Sequence, residues 1–158
     1  MKKYALVAAL LLVASFAAHA DQAASTTART TPTGAARSTD VCTLLPVAQA
    51  AQLSGQPYTT AAPTGSAEGW TSGCAYNNDD ATAQGVNVNI DTSDRVANTW
   101  NLVHTGNISE ISGVGDKAFW DKDNTLYAMS GKALIQVNGL ESQGRSEALA
   151  KAIIHALH

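Results

Sequence analysis

Apolar and polar residues alternate in short stretches over the second half of the chain, which is the pattern of half-buried β-strands. The clearest stretch is 86–91, Val-Asn-Val-Asn-Ile-Asp, in which every second side chain is apolar. Four further stretches predict strands: 72–76, 117–120, 125–129 and 133–137. Turn-forming pairs, Asp123-Asn124 and Gly131-Lys132, separate the last three, so the sequence predicts a meander of hairpins there.

Three segments carry helical rather than strand spacing: 46–53, 94–104 and 146–157. Pro46 suits a first helical turn, and Gly55 is a natural stop. Val96, Trp100 and Val103 share one face of the second helix. The order of elements predicts an α+β domain, with a single antiparallel sheet of about five strands and helices packed on one face.

The N-terminus has the pattern of a secretory signal peptide over residues 1–20. Two lysines precede a continuous apolar run, and Ala18 and Ala20 supply the small residues before a cleavage site. The run is shorter than the ~20 apolar residues that span a bilayer. Residues 21–39 contain no large apolar side chain and predict a disordered linker. We therefore expect cleavage after Ala20, a periplasmic or secreted mature chain without a transmembrane segment, and one domain over residues 40–158.

Cys42 and Cys74 are the only two cysteines of the chain. An oxidising compartment favours their pairing as a structural disulfide. Their spacing is far wider than that of a redox-active Cys-x-x-Cys motif. No cysteine follows the expected cleavage site directly, so no lipid anchor is indicated.

The charge of the mature chain argues against polyanionic partners. Without Lys2 and Lys3, eight basic residues stand against thirteen acidic ones, which gives a net charge of about −5 with histidine neutral. The basic residues form no cluster after Lys3. Because binding to nucleic acid or anionic lipid needs several clustered cations, neither is an expected partner.

The motifs that would carry catalysis or metal binding are incomplete. Residues 113–116, Gly-Val-Gly-Asp, lack the lysine of a phosphate-binding loop and predict a tight turn. Residues 121–132 lack the glycine and the glutamate of a calcium loop, and no Gly-x-Ser-x-Gly elbow is present. His155 and His158 suit the end of the last helix. We expect no cofactor, no metal and no catalytic residue; a pocket that gathers His104 with an Asp or Glu would indicate an enzyme.

Trp70 and Trp120 are the candidate contact residues. Trp70 lies in a loop beside Gly69, within a region in which residues 56–69 predict irregular structure. Trp120 follows Phe119 on a predicted strand, so one of these rings should face the core and the other the solvent. An exposed tryptophan suits contact with a protein or an apolar ligand. The alternative is that both tryptophans complete a small core.

Several short motifs resemble a known family. They are Cys42-Thr-Leu-Leu before an Ala-rich helix that ends at Gly55, Gly73-Cys-Ala-Tyr, Ser112-Gly-Val-Gly-Asp-Lys-Ala-Phe, and a closing Ala-rich helix. They resemble an exported domain of unknown function of bacterial cell-envelope lipoproteins, related in layout to extracellular sensor domains of bacterial Ser/Thr kinases. The resemblance spans residues 41–157. It implies an α+β domain with bridged cysteines and no established catalytic residues. The chain lacks the lipobox of the lipoprotein members.

The sequence thus favours an exported, non-enzymatic binding or sensing domain of the cell envelope, which we expect to be a monomer. Its partner would be an unknown envelope protein or a small ligand. The alternatives are an inhibitor or immunity-type protein that acts on an envelope enzyme, and an unrecognised hydrolase. A ligand-binding module should contain a concave apolar pocket lined by aromatic residues. An inhibitor should present a flat or protruding patch around Trp70 or Trp120.

Overall fold

The structure, a computed structural model, describes residues 39–65, 69–80 and 84–158. The expected signal peptide and the linker up to residue 38 lie outside the described residues. Within the described ranges the helices are α1 (Val41–Leu44), α2 (Val47–Ser54), α3 (Val96–Val103) and α4 (Gln143–Leu157). The strands are β1 (Thr60–Pro63), β2 (Ser72–Asn77), β3 (Val86–Asp91), β4 (Ile108–Ile111), β5 (Lys117–Asp121), β6 (Thr125–Ser130) and β7 (Ala133–Asn138).

All seven strands belong to one sheet, in the order β1-β2-β3-β7-β6-β5-β4. Every neighbouring pair is antiparallel, which confirms the predicted single antiparallel sheet. Strands β5, β6 and β7 form the predicted meander. The last of them returns to the middle of the sheet and pairs with β3. The strand with the clearest alternation, β3, therefore lies beside the last strand of the meander.

The predicted number of strands, about five, is wrong. The sheet has two further strands at its edges, and their sequences show no clear strand pattern. β1 lies within the segment that predicted an irregular loop, and its residues are Thr-Ala-Ala-Pro. β4 reads Ile-Ser-Glu-Ile, and none of its side chains is fully buried. Periodicity in a sequence reports burial on one face of a strand. Strands at the two edges of this sheet bury little, so their sequences carry only a weak signal.

The main core lies between one face of the sheet and the helices α1, α2 and α4. Val88 and Ile135 from the central strands and Leu149 and Ile153 from α4 are all completely buried there. Tyr76 is also completely buried, and its hydroxyl donates a 2.6 Å hydrogen bond to the carbonyl of Leu45. Burial raises the pKa of this phenol, so it stays a neutral donor. We call this side of the sheet the core face.

Helix α3 packs on the opposite side, which we call the outer face. Its Trp100 forms a second hydrophobic cluster with Phe119, Tyr127 and Leu134 from three neighbouring strands. The prediction that the helices pack on one face is therefore wrong for α3. The reason is visible in β5–β7, where consecutive residues such as Leu134 and Ile135 are both fully buried. A strand that is covered on both faces carries apolar residues in a run rather than in alternation.

A disulfide joins Cys42 of α1 to Cys74 of β2, with 5.3 Å between their Cα atoms. It closes a loop with a sequence separation of 32. Cross-links of this length contribute about 3.5 kcal/mol in the chain-entropy description. The carboxylate of Asp40 caps α1 by accepting a 3.0 Å hydrogen bond from the backbone N–H of Cys42. None of the described helices has the length and apolar character that crossing a membrane requires.

The Gly-Val-Gly-Asp segment that precedes β5 is a packing device. Gly115 has a φ of 61°, and a Cβ atom at this position would overlap the carbonyl oxygen of Met129. Asp116 then donates its N–H to the same carbonyl at 2.7 Å, and its carboxylate accepts the N–H of Gly131 at 2.7 Å. Val114, almost completely buried, enters the main core. The segment thus clamps the β6–β7 hairpin, as the predicted tight turn requires.

Candidate functional site

Helix α3 covers only part of the outer face, and the part beyond it carries polar side chains. On β3 these are Asn87 and Asn89, and on β7 they are Gln136 and Asn138. We call these four residues the amide quartet. Asn87 and Asn138 are exposed, whereas Asn89 and Gln136 are half-buried.

The sheet register sets the spacing of the amide quartet. Asn87 lies opposite Asn138, and Asn89 lies opposite Gln136. Neighbouring strands are about 4.8 Å apart, and same-face residues along one strand are separated by about 6.8 Å. The four side chains therefore rise from the corners of a rectangle of about 5 by 7 Å, on a backbone that pairing has already made rigid.

Hydrogen bonds connect two members of the quartet to the second hydrophobic cluster. The side-chain amide of Asn89 donates to Oε1 of Gln136 at 2.8 Å, and Nε2 of Gln136 donates to the hydroxyl of Tyr127 at 3.0 Å. Tyr127 is almost fully buried and stacks on Phe119 with 5.1 Å between the ring centroids. Burial raises the pKa of Tyr127 despite the hydrogen bond from Gln136, so its hydroxyl stays neutral. The second hydrophobic cluster thereby fixes the orientation of the Asn89 and Gln136 amides.

A glycine makes room for the quartet on its other side. Gly73 of β2 lies opposite Asn89. A Cβ atom on residue 73 would overlap Oδ1 of Asn89 and Oγ1 of Thr64. Because this glycine has no side chain, Asn89 and Thr64 can lie across β2 and bound the polar surface there.

Together these residues line a groove with a volume of about 260 Å³. Its lining consists of the amide quartet with Thr64, Gly65 and Trp70. The indole of Trp70 is half-buried and packs against the second hydrophobic cluster. Among the described residues that line the groove, none carries a charge. The groove therefore offers amide and hydroxyl groups beside one aromatic ring.

The backbone on both sides of Trp70 is held in place. Arg95 donates to the carbonyl of Gly69 at 3.0 Å, and the N–H of Thr71 bonds to the carbonyl of Ile90 at 2.8 Å. The hydroxyl of Thr71 also donates to Asp91 at 3.1 Å. Trp70 is thus placed by its neighbours in sequence as well as by its own packing.

Asp91 is buried, with 1% of its surface exposed. Burial by itself would raise its pKa, but hydrogen bonds from Ser93 and Thr71, together with the charge of Arg95, hold the pKa below its usual value. The N–H of Ser93 donates to the carboxylate at 2.9 Å. The ionised carboxylate therefore joins the Trp70 loop to the segment that leads into α3.

Trp120, the other candidate contact residue, lies on the core face. It is half-buried against the main core, whereas Phe119 is fully buried in the second hydrophobic cluster. The two rings lie on opposite faces of β5, as the alternation predicted, but neither is fully exposed, because α3 covers Phe119 and the main core partly buries Trp120. Trp70 and Trp120 belong to opposite faces of the sheet, so the structure does not bring the two candidates together.

The structure pairs His104 with an acid but does not enclose them. Nε2 of His104 lies 2.6 Å from Oε1 of Glu110, and the imidazole stacks on Trp100 with 5.2 Å between the ring centroids. About a third of the His104 side chain is exposed, and Glu110 is more exposed still. The adjacent depression is lined by Leu102, Val103 and others but not by His104. The expected sign of an enzyme was a pocket that gathers His104 with an acid. The acid is present, but the pair does not line the adjacent depression.

The described side chains that could bind a metal ion are not gathered in one place either. Within the ranges that the structure describes, no three His, Cys, Asp or Glu side chains lie close enough to hold a metal ion. His158, one of the two histidines at the end of α4, lies 2.9 Å from the hydroxyl of Ser130. The described carboxylates of residues 121–123 bond to the backbone and to Lys122 as in an ordinary hairpin turn.

No family model matches this chain, and no curated protein or solved structure matches it either. The resemblance to exported envelope domains therefore stays a prediction. Among the described residues, the groove is the surface that combines oriented polar groups with an aromatic ring, and it therefore provides the basis for a proposed function.

Sequence reasoning missed the amide quartet as a unit. Asn87 and Asn89 belong to the wet face of a correctly predicted strand, whereas Gln136 and Asn138 follow a run of apolar residues in β7. The signal that could have found them is the pair of polar positions at the end of β7. It becomes informative only once β3 and β7 are known to be neighbours.

Proposed function

We propose that this chain is a non-enzymatic binding domain, exported to the cell envelope, whose ligand lies on the amide quartet beside Trp70. The observation that carries the proposal is the groove itself. It combines the paired central strands of the sheet, amides whose orientation is fixed by hydrogen bonds, and Trp70. Sites that bind small molecules share this plan of a concave, largely pre-formed surface with a few well-placed polar groups.

The chemistry of the lining supports binding rather than catalysis. Amides, a threonine hydroxyl and an indole do not ionise near neutral pH, and each can hold a ligand by hydrogen bonding or packing. The groove differs from the apolar pocket that the sequence led us to expect, because its walls come from the wet face of β3 and the polar end of β7.

The positions of the two candidate tryptophans support a groove over a protruding patch. An inhibitor was expected to present Trp70 or Trp120 at the centre of a flat or projecting surface. Both rings are half-buried, one at the groove and one against the main core. A ligand that enters the groove uses Trp70 without moving it.

Export is supported by the signal-peptide pattern together with two structural observations. The cysteines form a disulfide, which persists in oxidising compartments. The described helices include none that could cross a membrane. We propose a periplasmic or secreted location on this combined basis.

The test follows the side-chain amide and indole N–H signals of the isotope-labelled protein by NMR while fractions of its own cell envelope are added. We expect saturable shifts in Trp70 and the amide quartet. The double variant N87A/N138A should lose them, and the matched variant N98A/N101A, which removes two amides from α3, should keep them. Shifts confined to other residues, or none in any fraction, would contradict the proposal.

A further inference from the structure

We infer that the groove binds an uncharged carbohydrate, with one sugar ring over the amide quartet and Trp70 beside it. This inference rests on the proposed binding function and names the chemical class of its ligand. Three properties of the groove carry it: the donor and acceptor content of its walls, the lack of charge among its described lining residues, and the position of these residues on the sheet.

The first property is the hydrogen-bonding character of the quartet. Every Asn or Gln amide offers two N–H donors and a carbonyl acceptor, and every sugar hydroxyl can likewise both donate and accept a hydrogen bond. Asn89 and Gln136 each use one N–H within the protein and keep the other. Asn87 and Asn138 are exposed, and neither side chain bonds to another described residue. The quartet therefore provides mixed donors and acceptors at fixed positions, which suits a ligand whose hydroxyl groups are equally mixed.

The second property is the absence of charge in the described lining. A phosphate or carboxylate ligand is normally met by Arg or Lys, because ionic hydrogen bonds are the stronger ones. Arg95, which lies beside the Trp70 loop, donates instead to the carbonyl of Gly69 at 3.0 Å. A neutral polar ligand matches these walls better than an anion.

The third property is the location of the quartet on paired strands. β3 lies between β2 and β7, and β7 lies between β3 and β6. Their backbone groups are already bonded on both sides, so a peptide that lay here could not extend the sheet, which is the usual way an extended peptide gains affinity. A hydrocarbon ligand would leave the amides unpaired, which is costly. Both alternatives fit the groove less well than a carbohydrate.

The dimensions agree with a single sugar ring. A rectangle of about 5 by 7 Å lets amides on opposite corners reach hydroxyl groups on opposite sides of one hexopyranose. Trp70 adds an aromatic surface at the same groove, against which the C–H groups of a sugar ring can pack. The arrangement thus contains both elements of sugar recognition, polar groups for the hydroxyls and a ring for the apolar face.

The experiment titrates the labelled protein with maltotriose, cellotriose, mannotriose and N,N′,N″-triacetylchitotriose to about 10 mM, a range that detects millimolar affinity. Neutral sugars released from the envelope of its own host complete the panel, and trigalacturonate serves as a charged control. We expect at least one neutral sugar to shift the amide quartet and the Trp70 indole saturably. Trigalacturonate should bind more weakly.

Variants then assign the contacts. Loss of one hydrogen bond weakens binding about fivefold to tenfold, so N138A should raise the dissociation constant by that factor. N101A, the matched exposed amide on α3, should leave it unchanged. W70F should keep most of the affinity, whereas W70A should lose it. Because N138A changes an exposed side chain, folding does not complicate its result.

The outcomes separate this inference from the proposed function. If no neutral sugar shifts the quartet, or if trigalacturonate binds more tightly, the carbohydrate inference is overturned. Should an envelope fraction still shift the same amides, the binding function stands with a ligand of another class. If neither sugars nor fractions shift them, both proposals fail.

Discussion

The outer face of the sheet has two halves that differ in almost every property. Under α3, Phe119, Tyr127 and Leu134 form a dry cluster with Trp100. Past the middle of the sheet, the same face becomes the amide quartet. The change takes place within β7, where Leu134 belongs to the dry half and Gln136 to the polar half.

This contrast indicates that the two halves of the outer face have different roles, one in stability and the other in binding. The dry half buries apolar surface and contributes to the free energy of unfolding, whereas the open half leaves polar groups where a ligand can reach them. The hydrogen bond from Gln136 to Tyr127 joins the two at 3.0 Å. Substitutions in the dry half should therefore change stability, and substitutions in the open half should change binding.

The largest effect is expected from Phe119→Ala in the dry half. Phe119 is fully buried and contacts Trp100, His104 and Tyr127 through its ring. Truncating such a residue costs about 3–5 kcal/mol of unfolding free energy. Urea denaturation followed by circular dichroism measures the loss. Leu102→Ala, at an exposed position of α3, is the control. A loss below about 1 kcal/mol for F119A would show that the dry half does not support the fold.

A smaller effect, with a distinct pH signature, is expected from Asp91→Asn beside the groove. The carboxylate accepts hydrogen bonds from Thr71 and Ser93. Weakening bonds to a charged group costs about 1–3 kcal/mol at neutral pH. Because the folded pKa is lowered, this stabilisation is complete above the unfolded pKa of about 3.9 and is lost as the pH falls through the folded value.

Urea titrations of the wild type and D91N at pH 7 and pH 3 test this prediction. The difference in unfolding free energy should be largest at pH 7 and should shrink at pH 3. D94N, at an exposed neighbouring position, is the matched control. A difference that stays constant with pH would mean that Asp91 acts by its shape alone and not by its charge.

Much of the fold could be predicted from the sequence, because most of its elements bury a face. The alternation over Val86–Asp91 gave β3 with its bounds, and Val96 and Trp100 are buried on α3 as their spacing predicted. β1 and β4 were missed for the opposite reason: they lie at the edges, where Thr60 and Ser109 need no alternation. The side on which α3 packs follows from long-range pairing, which single-segment periodicity does not encode.

The candidate site was only half predictable. Trp70 was singled out by its loop context, and the structure places it at the groove. Asn89 and Gln136 are 47 positions apart in the chain and meet only because β7 returns to pair with β3. No local pattern marks such a contact. The sequence proposed a pocket that gathers His104 with an Asp or Glu as the sign of an enzyme; the structure supplies the acid, Glu110, but leaves the pair partly exposed.

Gln136→Leu tests whether the polar half of the outer face can be made apolar without loss of stability. The variant continues the apolar character of Leu134 along β7 and removes the hydrogen bonds to Asn89 and Tyr127. Lost hydrogen bonds cost about 1 kcal/mol each, and new apolar contact offsets part of that, so stability should change by less than about 1 kcal/mol. Binding at the groove should be lost. A thermal unfolding curve with the NMR titration separates the two effects, and Gln143→Leu on α4 is the control.

The smallest effect on stability is expected from Asn87→Ala with Asn138→Ala, the exposed pair of the quartet. Exposed substitutions usually change the unfolding free energy by no more than about 0.5 kcal/mol. Removing two amides that project into the groove should nevertheless abolish the ligand-induced shift of the Trp70 indole. Equal urea midpoints with unequal titrations would establish the open half as a surface kept for binding. If the double variant instead unfolds as readily as F119A, its amides serve the sheet, and the proposed separation between the two halves is wrong.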